Sequence, residues 1–343
     1  MPADIANFPT LMDVARRSGD KSAAKIVEVL RRSNDALDDI PWKMCNSGVV
    51  DKVTLRTSLP QPTWRMLNSG VGVSKSTTKQ ASFTCGMLET YAEVDKKQVE
   101  LAARGQVDDA SSNAAASNAI AKENEAFIEG FNQEISRVMF YGSPAVPQEP
   151  VGFSHFLNDG TDADMAKNLI NGGGTGDKNT SIWLIAWNED AVTGIYPQGS
   201  KAGLSEKFLG EVTLEDEKGG KFQGYRTHYS WDAGFAVRDP RCLVRIANID
   251  MDALIKGTTG AADLVELMIA AMYRLPKAAR GYRRAFYARP EVIQALDSQT
   301  RKQVNLQLSY GDVFGRKILT FRDGIPVREQ ESLLATEAKV TFN

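Results

Sequence analysis

The chain has 343 residues, of which 42% are hydrophobic and 24% are charged, so it is long enough for a large core and for two structural units. Its formal net charge of −2 gives no basic field for sequence-specific binding of nucleic acid. The three widely spaced cysteines and two histidines argue against a disulfide framework and against a histidine-rich metal site.

The first part of the chain predicts an extension rather than a domain. Residues 10–40 favour one or two short helices that end before Pro41. The N-terminus lacks the apolar stretch of a signal peptide, which predicts synthesis and folding in the cytoplasm.

A β-ribbon is predicted over residues 48–90, where apolar and polar residues alternate. A two-stranded ribbon is not stable alone in water, and residues 74–82 contain no large apolar side chain that it could bury. We therefore expect the ribbon to lie on a partner chain, with Trp64 and Met66 packed against its surface.

A long helix is predicted over residues 111–141. Its stripe of apolar side chains recurs at helical spacing, and Gly142 and Pro144 follow as stop signals. The stripe consists of Ile120, Phe127, Phe131, Ile135, Val138 and Met139.

Strands and helices alternate in the rest of the chain. Residues 181–187 predict a buried strand, and residues 224–249 predict strands interrupted by turns at 232–234 and 239–240. The remaining predictions are helices over 260–276 and 290–302 and a hairpin over 317–329. Taken together, these elements predict the α+β fold class.

The glycine-rich segment NGGGTGDKNT, residues 171–180, invites a phosphate-binding interpretation. Its spacing does not fit a P-loop or a dinucleotide fingerprint, Asp177 places negative charge where phosphate would lie, and a strand follows the loop instead of a helix. We interpret the segment as a flexible connector.

No other pattern predicts chemistry. The carboxylate pairs Asp38–Asp39 and Asp108–Asp109 fit solvated turns, and the sequence contains no nucleophile elbow. The sequence thus predicts a non-enzymatic protein with no catalytic residue, cofactor or metal.

The order of these elements and several stretches together resemble the major capsid proteins of tailed bacteriophages with the Hong Kong 97 fold, most closely those of short-tailed phages. The resemblance covers residues 45–343 and is carried by the following stretches: PTWRMLNSGVGVSKSTTKQASFTCGMLETYAEVDK, ENEAFIEGFNQEISRVMFYGSPAVPQEPVGF, GGGTGDKNTSIWLIAW, GIYPQGSKAGL, WDAGFAVRDPRCLVRIANID and LTFRDGIPVREQESLLATEAKV.

The resemblance implies a division of the chain into the domains of that fold. The expected parts are an N-terminal arm at 1–47, an E-loop ribbon at 48–90, a P-domain at 91–154 and 321–343 with the spine helix at 111–141, and an A-domain at 155–320. The E-loop would lie across a neighbouring subunit.

In that resemblance, the candidate site is the contact that the E-loop makes with the neighbouring subunit. Trp64 and Met66 would be its anchors, and Arg65, Lys75 and Lys79 would be charges at its rim.

The resemblance also implies a structural function. Hexamers and pentamers of the chain would assemble into the icosahedral shell of a virion around the double-stranded DNA genome, in the cytoplasm of the bacterial host. Only about 45 residues precede the E-loop, which predicts a separate scaffolding protein. Further expected partners are a portal protein, an optional cement or decoration protein and non-specifically contacted DNA, with no membrane involved.

Two alternatives stay open at this point. An encapsulin-like nanocompartment shell would share the fold and enclose a cargo enzyme, whereas an α/β enzyme with a glycine-rich loop would be a nucleotide-binding monomer.

Overall fold

The computed structural model describes residues 34–103, 109–158, 166–216, 218–257, 261–302, 308–313 and 316–342. Within these ranges the chain forms two compact units. The first consists of residues 87–135 and 203–231, and the second consists of residues 34–86, 136–202 and 232–342.

The strands of the described residues are, in chain order, β1 Trp42–Met44, β2 Val50–Ser58, β3 Thr77–Thr84, β4 Gly86–Asp95, β5 Leu169–Asn171, β6 Asn179–Trp187, β7 Val192–Tyr196, β8 Ser205–Glu215, β9 Lys221–Val237, β10 Leu243–Asp250, β11 Arg283–Ala288, β12 Leu308–Val313, β13 Arg316–Phe321 and β14 Ile325–Glu329. The α-helices are α1 Ala36–Asp39, α2 Lys96–Ala103, α3 Asp109–Tyr141, α4 Phe153–Phe156, α5 Met251–Lys256, α6 Leu264–Arg274 and α7 Pro290–Lys302. Short 3-10 turns cover Ala166–Asn168, Pro240–Cys242, Lys277–Gly281 and Arg322–Gly324.

The predicted ribbon is present. Strands β2 and β3 pair antiparallel as a two-stranded sheet, from Val50 opposite Thr84 at one end to Ser58 opposite Thr77 at the other. Residues 59–76 join the two strands and are called the ribbon tip below. The end at Val50 and Thr84 is called the ribbon base. Of the N-terminal arm predicted at 1–47, residues 1–33 lie outside the described residues.

The first unit is built on the long helix α3, which begins two residues before the predicted 111–141 and ends where that prediction ends. Its apolar stripe packs on strand β9, where the rings of Phe127 and Tyr229 stack with centroids 5.8 Å apart. Phe131 adds a tilted ring contact to Tyr229 at 6.2 Å. Strands β8 and β9 form a hairpin, and β9 also pairs with β4. The apolar stripe of α3 covers Tyr229 on this hairpin.

The second unit has its core around β6. All nine residues of this strand are buried, as expected for an apolar strand that is covered on both faces. It pairs antiparallel with β10 and with β11, and the sheet continues from β11 through β14 and β13 to β12. Helix α6 packs on β10 and on α7. The observed architecture confirms the predicted α+β class.

Later elements follow the predictions closely. The helices predicted over 260–276 and 290–302 are present as α6 and α7, and Asp263 caps α6 by accepting a hydrogen bond from the Glu266 amide. The hairpin predicted over 317–329 is formed by β13 and β14, which turn at Arg322–Gly324.

The turn predicted at 232–234 is wrong, because β9 runs without a break from Lys221 to Val237. A Cβ atom on Gly234 would lie 2.7 Å from the carbonyl oxygen of Thr84 and 3.1 Å from Cα of Cys85. The glycine therefore marks a close approach of two backbones inside a strand. The turn predicted at 239–240 is present.

The two units divide the chain differently from the predicted domains. Residues 203–231, predicted to belong to the A-domain, group with residues 87–135, which comprise the end of the predicted E-loop and most of the predicted P-domain segment 91–154. The stacking of Tyr229 on Phe127 gives this grouping a physical cause. The boundaries of the arm, E-loop, P-domain and A-domain stay predictions.

Candidate inter-subunit interface

The ribbon tip presents large apolar side chains to solvent. Trp64 and Val73 are fully exposed, and Leu67 and Met66 retain 91% and 80% of their exposure. Large apolar side chains are seldom exposed together on a soluble monomer, which makes the tip a candidate contact surface. The local turn is formed by the Ser69 amide, which donates to the Met66 carbonyl oxygen over 3.2 Å.

The ribbon carries all five residues that the sequence singled out. Trp64, Arg65, Met66 and Lys75 lie in the tip, and Lys79 lies within β3; every one is exposed. These side chains thus share one projecting element, although no contact among them defines a closed site.

A buried ion pair fixes the ribbon base. The guanidinium of Arg238 lies 2.5 Å from the Asp51 carboxylate, and the two side chains are 8% and 4% exposed. Arg238 also donates to the carbonyl oxygen of Glu189. The sequence contains a signal for this pair, because Asp51 shares the face of β2 that carries Val53 and Leu55. A charge on the apolar face of a strand needs a buried partner.

Two cysteine thiols also meet at the ribbon base. The sulfur atoms of Cys45 and Cys85 lie 3.4 Å apart, with Cys45 buried and Cys85 partly exposed. Burial raises the pKa of both thiols above the ordinary value. The pairing of these two thiols was not predicted from the sequence.

Asp39 is the centre of a buried polar network, so the prediction of a solvated turn is wrong for it. Its carboxylate accepts hydrogen bonds from Arg328 at 3.0 and 3.2 Å, from Tyr287 at 2.7 Å and from Arg283. Burial, and the adjacent carboxylate, raise the pKa of Tyr287 well above its ordinary value. The neighbouring Asp38 is exposed, as predicted.

A second buried network holds the C-terminal segment. Glu337 pairs with Arg245 at 2.9 Å and accepts hydrogen bonds from Tyr141 and Ser181. The Arg245 guanidinium lies 5.1 Å above the ring of Trp183, which adds a cation–π contact.

The side chain of Asn248, in β10, pairs with the backbone of Val340 near the C-terminus. Its amide nitrogen donates to the Val340 carbonyl oxygen and its oxygen accepts from the Val340 amide, both over 2.8 Å. Asn248 has a φ of 57°, a conformation that asparagine tolerates better than most residues.

The glycine-rich loop packs against β10, a contact that its interpretation as a flexible connector did not include. The amides of Gly172 and Gly174 donate to the carbonyl oxygens of Ala247 and Asn248, each over 2.7 Å. A Cβ atom on Gly174 would lie 2.6 Å from the Asn248 oxygen. The glycines therefore permit close packing on β10, and these two amides are already used. Lys178 pairs with Asp252 instead of facing a phosphate.

The remaining candidates for chemistry have local partners. His228 lies 3.2 Å from Glu89 and stacks on Tyr91, and His155 contacts the ring of Phe156. No cluster of His, Cys, Asp and Glu among the described residues has an arrangement that could hold a metal ion. Of the helices that the structure describes, none is both long enough and apolar enough to span a membrane.

Comparison with known proteins identifies a family. The model of the major capsid protein GP7 family matches residues 18–341. Among solved structures, a chain of bacteriophage Epsilon15 is 32% identical, with a TM-score of 0.75 over 99% of this chain and 100% of that chain. A search of curated proteins gives no match.

More distant structures show lower similarity. The encapsulin SrpI of Synechococcus elongatus is 12% identical, with a TM-score of 0.43 over 69% of this chain and 95% of that chain. The capsid of the myovirus XM1 is 11% identical, with a TM-score of 0.42 over 68% of this chain and 97% of that chain.

The family match covers nearly the whole chain, and the Epsilon15 similarity covers all but 1% of it, so the resemblance read from the sequence is confirmed. The fold is that of Hong Kong 97-like phage capsid proteins, and the protein is structural and non-enzymatic. The family match favours a phage capsid protein over the encapsulin-like alternative. The chain belongs to the GP7 family of major capsid proteins, which form the icosahedral shell of a bacteriophage.

Proposed function

We propose that the ribbon tip of each copy lies on the neighbouring copy and forms the contact that holds hexamers and pentamers together in the shell. The observation that supports this most is the combination of an anchored base and an exposed apolar tip. Asp51 and Arg238 fix the base, whereas Trp64 and Val73 bury nothing within their own subunit. Such a projection gains burial only against another chain.

Within this contact, Trp64 and Met66 are the anchors. A large aromatic side chain that becomes fully buried contributes most of the binding energy of a contact, whereas charges at its rim contribute little each. Arg65, Lys75 and Lys79 therefore set the orientation of the tip more than its affinity.

The wider assembly follows the same logic. We propose that the shell encloses double-stranded DNA, assembles in the host cytoplasm on a separate scaffolding protein, and receives a portal protein and optionally a decoration protein. The net charge of −2 favours non-specific contact with the packaged DNA over sequence recognition. The A-domain at 155–320 would gather at the axis of each capsomer.

Replacement of Trp64 by alanine tests the contact. Because Trp64 is fully exposed in the subunit, Trp64→Ala should leave its unfolding transition unchanged. We expect the loss of an interface anchor to raise the protein concentration needed for assembly by more than about tenfold, which corresponds to roughly 1.4 kcal/mol per contact.

Sedimentation of shells and free subunits over a concentration series measures this effect, and circular dichroism checks the fold. Trp64→Phe is the matched control, because it keeps an aromatic anchor and should assemble nearly as the unmodified protein does. Normal assembly of Trp64→Ala would contradict the proposed contact.

A further inference from the structure

The two thiols at the ribbon base lie at a position that the assembly function does not use. Cys45 follows β1 and Cys85 lies between β3 and β4, so 40 positions separate them in the chain. Their sulfur atoms are already in contact at 3.4 Å. The segment between them contains β2, the ribbon tip and β3.

Both cysteines are held by the backbone around them. The amide of Cys45 donates to the Tyr196 carbonyl oxygen over 2.9 Å, and the amide of Cys85 donates to the Val49 carbonyl oxygen over 3.0 Å. The backbone of Gly234 also comes close to that of Cys85. The contact between the sulfur atoms is thus a consequence of two fixed backbones.

We propose that Cys45 and Cys85 are a disulfide site, which closes a covalent loop around the whole ribbon when the protein meets an oxidising medium. The sulfur atoms must approach from 3.4 Å to about 2.05 Å, a movement that side-chain rotation and small backbone shifts supply. In the described structure the third cysteine, Cys242, has Asp239 as its neighbour.

The reaction is a thiol–disulfide exchange with a small external disulfide such as oxidised glutathione. Cys85 is the more exposed thiol, so its thiolate attacks the external disulfide and one glutathione thiolate leaves. Because burial raises the pKa of this thiol, the exchange is faster at alkaline pH. The Cys45 thiolate then attacks the sulfur of Cys85, and the second glutathione thiolate leaves. Two protein thiols are oxidised, the external disulfide is reduced to two thiols, and the two protons released by the cysteines pass to the glutathione thiolates.

The product constrains the element proposed to join the subunits. A disulfide across 40 positions removes conformational freedom from the unfolded chain and thereby stabilises the folded state. The ribbon base would stay closed even if the ion pair between Asp51 and Arg238 opened. In a reducing cytoplasm the thiols stay free, whereas a particle released from the cell meets the oxidant.

The test treats the purified full-length protein with oxidised glutathione and measures its intact mass and its remaining thiols after denaturation. We expect a mass loss of about 2 Da, the two hydrogens of a disulfide, and one alkylatable thiol. Tryptic peptides 44–52 and 80–96 should be joined, and reduction should separate them.

Matched variants identify which cysteines form the disulfide. Cys242→Ser should form the disulfide as the unmodified protein does, whereas the mass of Cys85→Ser should not fall by about 2 Da. The oxidised protein should also unfold at a higher temperature than the reduced protein, and the difference should vanish on reduction.

Three thiols that remain free would overturn the proposal. So would an unresolved glutathione adduct on Cys85, or a link between two copies. The measurement on the unmodified protein does not depend on whether the variants fold or on whether the ribbon tip joins subunits.

Discussion

Asp39 and Glu337 each attach a terminal segment to strands that are remote in sequence. Asp39 is 1% exposed and meets Arg328 and Tyr287, about 290 and 250 positions away. A buried ion pair adds little net stability compared with apolar packing, but removal of one partner leaves the other charge buried and unpaired. Removal of either carboxylate should therefore lower the free energy of unfolding strongly.

The two aspartates at the end of α1 allow a matched comparison. Asp39→Ala leaves the Arg328 guanidinium buried without its carboxylate, and we expect the free energy of unfolding of the subunit to fall by about 3–5 kcal/mol. Asp38→Ala removes an exposed carboxylate from the next position and should change stability by less than about 0.5 kcal/mol. Denaturant titration of unassembled subunits measures both, and equal effects would refute the role of the network.

The sequence alone does not distinguish the buried Asp39 from the exposed Asp38. Asp38 and Asp39 are identical in type and adjacent, and only the contacts made by residues 283, 287 and 328 distinguish them. The ion pair of Asp51 could have been predicted in part, because a carboxylate on the apolar face of β2 requires a partner of opposite charge. Trp64 and Met66 could be predicted as contact residues because an apolar side chain in a polar ribbon is conspicuous without any knowledge of the fold.

Among the elements, glycine was the residue that sequence reasoning interpreted least well. Gly234 was expected to break β9, and Gly172 and Gly174 were expected to loosen a loop. In both places the missing side chain instead allows two backbones to approach. A glycine that permits a turn and a glycine that permits packing look the same in a sequence, since the difference lies in the neighbouring strand.

The loop before β6 allows a direct test of whether its glycines permit close packing of two backbones. In Gly174→Ala the new methyl group would lie 2.6 Å from the Asn248 oxygen and 3.0 Å from the Asp250 amide, so the backbone must shift. We expect a loss of about 1–3 kcal/mol in the free energy of unfolding. Gly176→Ala is the matched control, since its nearest atom would be an Asp250 oxygen at 3.6 Å. Unfolding curves that do not differ would favour a flexible connector.

For the whole molecule, periodicity predicted the elements better than it predicted their grouping. The buried strand β6, the helix α7 and the ribbon follow from runs and alternation within short windows. The grouping of the β8–β9 hairpin with α3 depends on a contact between Phe127 and Tyr229, about 100 positions apart, and no local pattern reports it. The family itself was recognisable because many short stretches matched in order.

Assembly should change how the chain is cut by trypsin. In free subunits the exposed ribbon tip offers Arg65 and Lys75 in a loop without strand pairing, so cleavage should begin there. In shells we expect cleavage at these residues to slow by more than about tenfold, because the proposed contact covers the tip. Mass spectrometry of the first fragments measures this, and gentle dissociation of the shells should restore the cleavage. Equal rates in shells and free subunits would count against a covered tip.

The ribbon also has a mechanical consequence. Both of its strands are already extended and run in line with the direction from base to tip, so a pull on the tip is carried along two covalent backbones and not across the hydrogen bonds that join them. Such an element resists stretching. If neighbouring subunits change their spacing, the ribbon behaves as a strut of fixed length whose base is held by Asp51 and Arg238, so the movement must be taken up outside the ribbon.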